Sequence, residues 1–242
     1  TGVYPDEHGV PGVYWYNPET HTTEYFGGDV KVVLKEGPHH FYERFLIRLS
    51  NELITHETLF ESVERSGKTA ACLNFFVYKG LVKHEINMPL LLGLIPGIPF
   101  SDIVEGPSVF YLGDFVRNGQ ITEQEDINGT GGMFNRYGFN DDNTFDILDE
   151  LARTGTLPDF TVAYCPDNDW DSHEDGPREA VSTLEHFDKR LGEFITLMGG
   201  LENMLDYFSV IVTGDHAQTD MTHDEERRGI DLSQLLHEFS IV

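Results

Sequence analysis

The sequence predicts an α/β fold with a mainly parallel sheet, and three observations carry this prediction. Residues 160–165 and 207–213 are short runs of β-branched and aromatic residues bounded by turn formers, as buried parallel strands are. Between them, residues 177–198 repeat apolar side chains every three or four positions, which is typical of a helix with one buried face. A strand–helix–strand crossover of this kind would end both strands at the same edge of the sheet.

The upstream elements are predicted from the same periodicities. Helices are expected over residues 41–53, 57–64 and 145–153, and a strand over residues 69–78. The Gly- and Pro-rich residues 79–140 show no clear periodicity and are set apart as an insertion or cap region. Because helices and strands alternate, we expect ligands to bind beyond the carboxyl ends of the strands.

Charge is the unusual feature of the composition. The 242 residues include 16 Lys and Arg but 42 Asp and Glu, which gives a formal net charge of −26. Such a surface repels phosphate backbones, so no nucleic-acid polymer is expected as a partner. The longest apolar run, residues 88–99, is short and broken by Gly and Pro, so no membrane segment is expected in this chain. The composition is compatible with a salt-adapted organism and assigns no localisation.

Acidic residues and a histidine follow the first predicted strand. Residues 167–175 hold five acids and His173 within nine positions, and Asp215 and His216 follow the second predicted strand. Carboxylate oxygen and imidazole nitrogen are ligands that zinc and related metals accept. Two such sets at one sheet edge predict a two-metal site, with metals about 4 Å apart that could clamp a phosphoryl group.

Two other interpretations of the first acidic loop were weighed. A chain this acidic can carry such a loop as a solvated surface, although two loops after two strands make chance a weaker account. An EF-hand is excluded, because Ser172 stands where the calcium loop needs Gly and Arg178 where it needs a bidentate Glu. Asp167, Asp171 and Asp175 are left as surface charge or as support for the histidine.

Three stretches resemble known motifs, in the order in which a known family has them. Residues 1–10 read Thr-Gly-Val-Tyr-Pro-Asp-Glu-His-Gly-Val. Residues 157–177 contain Asp-x-x-x-His-x-x-Gly-Pro after a strand, and residues 213–217 read Thr-Gly-Asp-His-Ala. Together they resemble type I phosphodiesterases/nucleotide pyrophosphatases of the alkaline phosphatase superfamily. The resemblance implies an alkaline-phosphatase-like three-layer sandwich.

The resemblance also implies roles for individual residues. Asp169 and His173 would bind one divalent metal ion, and Asp215 and His216 the other, with zinc as the expected metal. Trp170, between two of these ligands, is a candidate substrate-binding residue, although a packing role remains open. His223 and His237 lie too close to the second motif to be natural candidates for the further His ligand that the family has, although His223 is in the same loop region and could approach the site.

The implied function is metal-dependent hydrolysis of a small phosphoester, most simply a phosphodiester or pyrophosphate bond. The family's Thr or Ser nucleophile would precede Thr1, so residues 1–242 are expected to be a truncated, partial catalytic domain that is inactive by itself. Val13 stands where family members often carry a phosphate-binding Asn, which leaves a different phosphoester open. The alternatives are a phosphomonoesterase, phosphonate hydrolase, sulfatase or phosphomutase of the superfamily, or a non-catalytic metal-binding pseudoenzyme.

Overall fold

A four-stranded, mostly parallel sheet forms the centre of the molecule. The computed structural model describes residues 1–18, 21–26, 42–89, 101–118 and 132–222, together with 224, 229 and 236. The sheet has the strand order β7-β6-β3-β8, with bounds β3 Ala70–Leu73, β6 Val109–Leu112, β7 Val116–Asn118 and β8 Phe160–Ala163. Strands β6 and β8 both run parallel to β3, and β7 is an antiparallel edge strand.

The remaining elements surround this sheet or precede it. The helices are α1 Pro5–His8, α2 Leu59–Arg65, α3 Asp141–Arg153, α4 Asp167–Glu174, α5 Val181–Leu197 and α6 Leu201–Tyr207. A π-helical segment covers Tyr42–Leu53 and a 3₁₀ segment covers Met133–Gly138. Two antiparallel hairpins, β1–β2 and β4–β5, have the bounds Tyr14–Asn17, Thr22–Tyr25, Val82–Asn87 and Ser101–Gly106. No helix among the described residues is long and apolar enough to cross a membrane.

Strand β3 is buried on both faces, which explains its continuous apolar composition. Its alternate residues point to opposite sides of the sheet. Ala70 and Cys72 join a core that includes Leu46 of the π-helical segment, Phe60 of α2, and Ile86 and Val104 of the β4–β5 hairpin. Ala71 and Leu73 join a second core with Ile147 and Leu151 of α3. The α/β class with a mainly parallel sheet is therefore confirmed, whereas the three-layer sandwich stays a prediction.

The carboxyl end of β3 is closed by a buried asparagine. Asn74 has a φ of 59°, a left-handed conformation that asparagine tolerates better than most residues. Its amide nitrogen lies 2.9 Å from Thr144 Oγ1 and 3.2 Å from the Gly138 carbonyl, and its side-chain oxygen accepts from Gly113 N at 2.7 Å. One side chain thereby joins the sheet to α3 and to the turn before it.

The predicted helices form close to their expected positions. Helix α2 begins with a reciprocal capping box between Thr58 and Glu61. Helix α3 is capped by Asn140, whose side-chain oxygen accepts a hydrogen bond from Asn143 N. The predicted strand at residues 69–78 is shorter than expected, because Asn74 turns the chain. Residues 79–140, set apart as a cap, supply β6 and β7 to the central sheet. Their division into a separate region stays a prediction.

The prediction of a second strand over residues 207–213 is wrong in this structure. Helix α6 ends at Tyr207, and residues 208–213 form neither helix nor strand. Ile211 is 85% exposed, and Val210 and Val212 are exposed as well. A strand requires a neighbour for its backbone hydrogen bonds, and in the described sheet β8 keeps an open edge instead. The crossover expected over residues 160–213 therefore lacks its second strand.

An ionic contact joins α3 to α5. Arg190 of α5 is 12% exposed, and its guanidinium contacts four acidic side chains. Arg190 and these four acids are called the Arg190 cluster. The distances are 2.5 Å to Asp142, 2.7 Å to Asp146, 3.5 Å to Asp149 and 3.5 Å to Glu193. Phe145 and Phe187 pack edge to face beside it, with ring centroids 5.6 Å apart. The apolar side chains predicted to form one face of α5 are therefore only partly buried. No residue of α5, all of which the structure describes, is fully buried.

Candidate metal and substrate site

The first motif lies on a short helix that follows β8. The acidic run was predicted as a loop, but residues 167–174 form α4. Asp167 and Asp169 in its first turn favour this helix, because carboxylates interact well with the positive helix N-terminus. Asp169 and His173 are four residues apart and share one helical face, with His173 Nε2 3.5 Å from Asp169 Oδ1.

The second motif reaches the first without a strand to carry it. His216 Nε2 lies 3.5 Å from the same Asp169 Oδ1 atom and 3.9 Å from Asp215 Oδ1. The Asp215 carboxylate also accepts a hydrogen bond from His216 N. His173 and His216, two of the side chains that the sequence predicts as metal ligands, therefore meet at Asp169, and Asp215 lies beside His216. These four side chains are called the Asp169 cluster below.

The Asp169 cluster is open to water. Its side chains are 40% exposed at Asp169, 52% at His216, 68% at His173 and 73% at Asp215. The donor set of two carboxylates and two imidazoles suits zinc by chemistry. Among the residues that the structure describes, however, no three His, Cys, Asp or Glu side chains form a group that could hold a metal ion as they stand. The donors fit zinc, and the side chains would have to turn toward a common point to enclose it.

Two further contacts tie the second motif to the first. Gln218 Nε2 donates to Asp169 Oδ1 at 2.7 Å, and Arg178 Nε lies 2.7 Å from Asp220 Oδ2. The sequence reasoning missed Gln218. Only its position, two residues after His216, could have drawn attention to it, because a contact across 49 residues leaves no local periodicity.

Trp170 lies on α4 between Asp169 and His173, and its ring contacts the guanidinium of Arg136. The Arg136 guanidinium carbon lies 5.2 Å from the centroid of the Trp170 ring, which is 41% exposed. Arg136 also pairs with Asp167. Arg136 and the next residue both have left-handed φ values, 51° and 53°, a costly backbone for residues other than glycine. Trp170 therefore offers an aromatic surface in a fixed position next to two candidate ligands.

Asp167 and Asp171 have structural contacts that the sequence could not assign. Asp167 and Asp141 exchange hydrogen bonds, each backbone N–H donating to the other carboxylate, at 3.0 and 3.1 Å. Asp171 accepts from Thr183 Oγ1 and so joins α4 to α5. Burial, with a smaller contribution from the charge of Asp167, raises the pKa of Asp141 to about 6, against opposing contributions from the Asp167 hydrogen bond and Arg136.

Tyr164, at the end of β8, faces the same charges. Burial raises the pKa of Tyr164 to about 12, and the carboxylates of Asp169 and Asp215 contribute in the same direction. Its phenol therefore stays protonated near neutral pH and can only donate or accept a hydrogen bond there. The same holds for the thiols of Cys72 and Cys165, whose pKa values burial raises. Neither cysteine is disposed to act as a nucleophile.

His223 and His237, which the sequence had set aside as ligands, lie outside the described residues. The first of the three matched stretches, residues 1–10, forms α1 and the turn after it, where Gly9 adopts a left-handed φ of 81°.

Comparison with known proteins identifies the family. The family model for type I phosphodiesterase / nucleotide pyrophosphatase matches residues 1–241. Among curated proteins, no significant match was found. The match spans nearly the whole chain and includes all three motifs from which the resemblance was inferred. The chain therefore belongs to the type I phosphodiesterase / nucleotide pyrophosphatase family.

Proposed function

We propose that this protein hydrolyses phosphodiester or pyrophosphate bonds of small phosphoesters with the help of two divalent metal ions, zinc being the metal expected. Family membership implies hydrolysis of phosphoesters. The observation that carries the finer proposal is the Asp169 carboxylate, which lies 3.5 Å from both His173 Nε2 and His216 Nε2 and so unites the two motifs.

The spacing in this cluster supports zinc as the metal. Two ligands bound at 2.0–2.15 Å to one tetrahedral ion are separated by about 3.3 to 3.5 Å. The distance between Asp169 Oδ1 and His173 Nε2, the two ligands assigned to one ion, is 3.5 Å. For an ion to replace the direct contacts, the exposed side chains would have to turn toward a common point. Asp169 and His173 are proposed to hold one ion, and Asp215 and His216 the other.

The charge balance gives a second argument. Asp169 and Asp215 are two carboxylates whose nearest partners in the cluster are imidazoles, and the chain carries a net charge of −26. The neighbouring guanidiniums of Arg178 and Arg136 are each paired with a different acid. Bound divalent ions would neutralise the carboxylates, attract the phosphoryl oxygens and stabilise charge on the leaving oxygen.

The chain's own residues would contribute binding and orientation. The four cluster side chains would hold the ions beyond the carboxyl end of β8. The exposed face of Trp170 would stack on a ring in the substrate. Tyr164, protonated at neutral pH, could donate a hydrogen bond toward the acidic side of the site. A Thr or Ser nucleophile preceding Thr1 remains part of the proposal, as the resemblance implies it.

An activity assay tests this proposal. Bis(p-nitrophenyl) phosphate and p-nitrophenyl phosphate are compared as diester and monoester, with the 242-residue chain and with any longer chain that its reading frame encodes. In the longer chain we expect zinc-dependent cleavage that favours the diester and falls at least about 100-fold in Asp215→Asn, because that change removes a charged ligand.

The matched control is Asp188→Asn, which removes the same charge from the exposed side of α5. Activity that survives unchanged in Asp215→Asn would overturn the metal assignment. A preference for the monoester would favour the phosphatase branch, and zinc binding without turnover in the longer chain would favour a pseudoenzyme.

A further inference from the structure

Gln218 is the point at which the second motif is attached to the first. Its side-chain nitrogen lies 2.7 Å from Asp169 Oδ1 and 3.4 Å from the Asp169 backbone oxygen. Both neighbours are acceptors, so the amide must present its NH₂ group to Asp169 rather than its oxygen. One side chain therefore holds the main chain and the carboxylate of the same residue.

The burial of the segment points to the same residue. Within residues 209–222, all of which the structure describes, Gln218 is the single residue that is not exposed. This segment forms neither strand nor helix, so a sheet does not hold Asp215 and His216 in place. Its second attachment, the Arg178–Asp220 ion pair, joins side chains that are 86% and 36% exposed, and exposed pairs of this kind contribute little.

The hydrogen bond to Asp169 is compatible with metal binding at the same oxygen. A carboxylate oxygen has two lone pairs, so Oδ1 can accept from Gln218 at 2.7 Å with one and bind one metal ion with the other. Metal-binding carboxylates are commonly held by such neighbours, which fix the direction of the ligand oxygen. The cluster already has this arrangement around Asp169.

We infer that Gln218 is a positioning residue for the metal site, which orients the Asp169 carboxylate and holds the Asp215–His216 segment against α4. This inference rests on the proposed function, since it concerns the same site. The inferred role of Gln218 acts through Asp169 and needs no contact with substrate or reacting atoms. Its contribution is to keep the ligands of the two proposed ions, which come from two distant parts of the chain, next to each other at Asp169.

Zinc affinity of the full 242-residue chain tests the inference without any need for activity. Zinc is titrated against a chromophoric chelator into metal-free wild type, Gln218→Met, Asn203→Ala and Asp169→Asn. Methionine has nearly the length of glutamine but no amide. Asn203→Ala is the matched control, because it removes an exposed amide that donates to the Met198 carbonyl, on α6 and away from the cluster. We expect Kd to rise 10- to 100-fold in Gln218→Met, to stay unchanged in Asn203→Ala, and to rise at least as much in Asp169→Asn.

Side-chain NMR supplies a second readout in the absence of metal. The Gln218 NH₂ resonances, identified by their loss in Gln218→Met, are expected to shift in Asp169→Asn and to keep their positions in Asn203→Ala. Resonances that ignore the Asp169 substitution would overturn the inference. So would a zinc affinity that Asp169→Asn lowers and Gln218→Met leaves unchanged, while the proposed function would stand. A wild-type chain that binds no zinc would overturn both.

Discussion

The Arg190 cluster and the Asp169 cluster both gather acidic side chains, but they differ in the source of the balancing charge. Arg190, 12% exposed, lies within 3.5 Å of four carboxylates between α3 and α5. In the Asp169 cluster the partners are two imidazoles, and every side chain is at least 40% exposed. The first cluster contains its own cation and serves packing. The second is accessible and short of positive charge, as expected of a site that takes its cation from solution.

The pKa values in the Arg190 cluster agree with this difference. Burial alone would raise the pKa of Asp142, but hydrogen bonds from His186 and Arg190 outweigh it and hold that pKa below its ordinary value. Burial likewise acts against the charged form of Arg190, yet Asp146 and Asp142 raise its pKa further. Arg190 and Asp142 therefore stabilise each other's charged forms, whereas burial raises the pKa of Asp149 above its ordinary value despite the charge of Arg190.

The largest expected effect is the loss of the internal cation. Arg190→Gln would leave four acids facing one another, and we expect it to lower the free energy of unfolding by about 3 kcal/mol, since breaking a buried ion pair leaves uncompensated charge. Urea denaturation of the metal-free protein measures this. The matched control is Lys189→Gln, whose side chain is 70% exposed and 3.7 Å from Glu193, and which should change stability by less than about 0.5 kcal/mol. Equal effects of the two substitutions would contradict the account.

The next effect should appear only in the Asp169 cluster. Zinc at about 100 times its Kd is expected to stabilise the wild type by about 2.7 kcal/mol, because it binds the folded chain alone. In Asp169→Asn this gain should disappear, while the stability of the metal-free variant stays within about 0.5 kcal/mol of the wild type. Thermal unfolding with zinc and with a chelator measures both quantities. An Asp169→Asn variant that is strongly destabilised without metal would mean that the cluster serves packing after all.

Asp141 lies between the two clusters and gives a test by pH. Burial raises its pKa from 3.8 to about 6, so the folded chain keeps a proton that the unfolded chain releases. The contribution of this group to stability therefore falls as pH rises from about 4 to about 6. Relative to the wild type, Asp141→Asn should gain about 1 kcal/mol of stability per pH unit over that range. Asp188→Asn serves as the control with a flat difference, and a flat difference for Asp141→Asn would refute the proposed burial of its charge.

The smallest effect is expected at the exposed ion pair between Arg178 and Asp220. Arg178→Ala removes the ion pair with Asp220, whose arginine side chain is 86% exposed. Such pairs contribute between zero and about 1 kcal/mol, so stability should change little and the zinc Kd by less than about threefold. A loss of zinc affinity as large as that expected for Gln218→Met would move the anchoring role from the amide to the ion pair.

The sequence predicts the periodic parts of this molecule well. Helices α2 and α3 and strands β3 and β8 form close to where apolar spacing or β-branched composition places them. The family resemblance, carried by three motifs, is confirmed by the match over residues 1–241. The four candidate ligands lie together as the resemblance implies, although their metal binding stays a proposal.

The parts that could not be predicted depend on long-range partners. Residues 208–213 have the composition of a strand, but composition does not state whether a neighbouring strand is present to pair with them. Residues 167–174 lack apolar periodicity, and they form a helix because acids suit its first turn. Gln218 acts through one hydrogen bond to a residue 49 positions away, which no local pattern announces.

The most direct test of the central claim is the position of the metal in a zinc-loaded crystal. Anomalous diffraction at the zinc absorption edge locates the ion independently of any assumed ligand. We expect a peak about 2.0 to 2.2 Å from Asp169 and His173 side-chain atoms, and a second peak beside Asp215 and His216. Zinc bound elsewhere on the acidic surface, with the Asp169 cluster unchanged, would contradict this prediction.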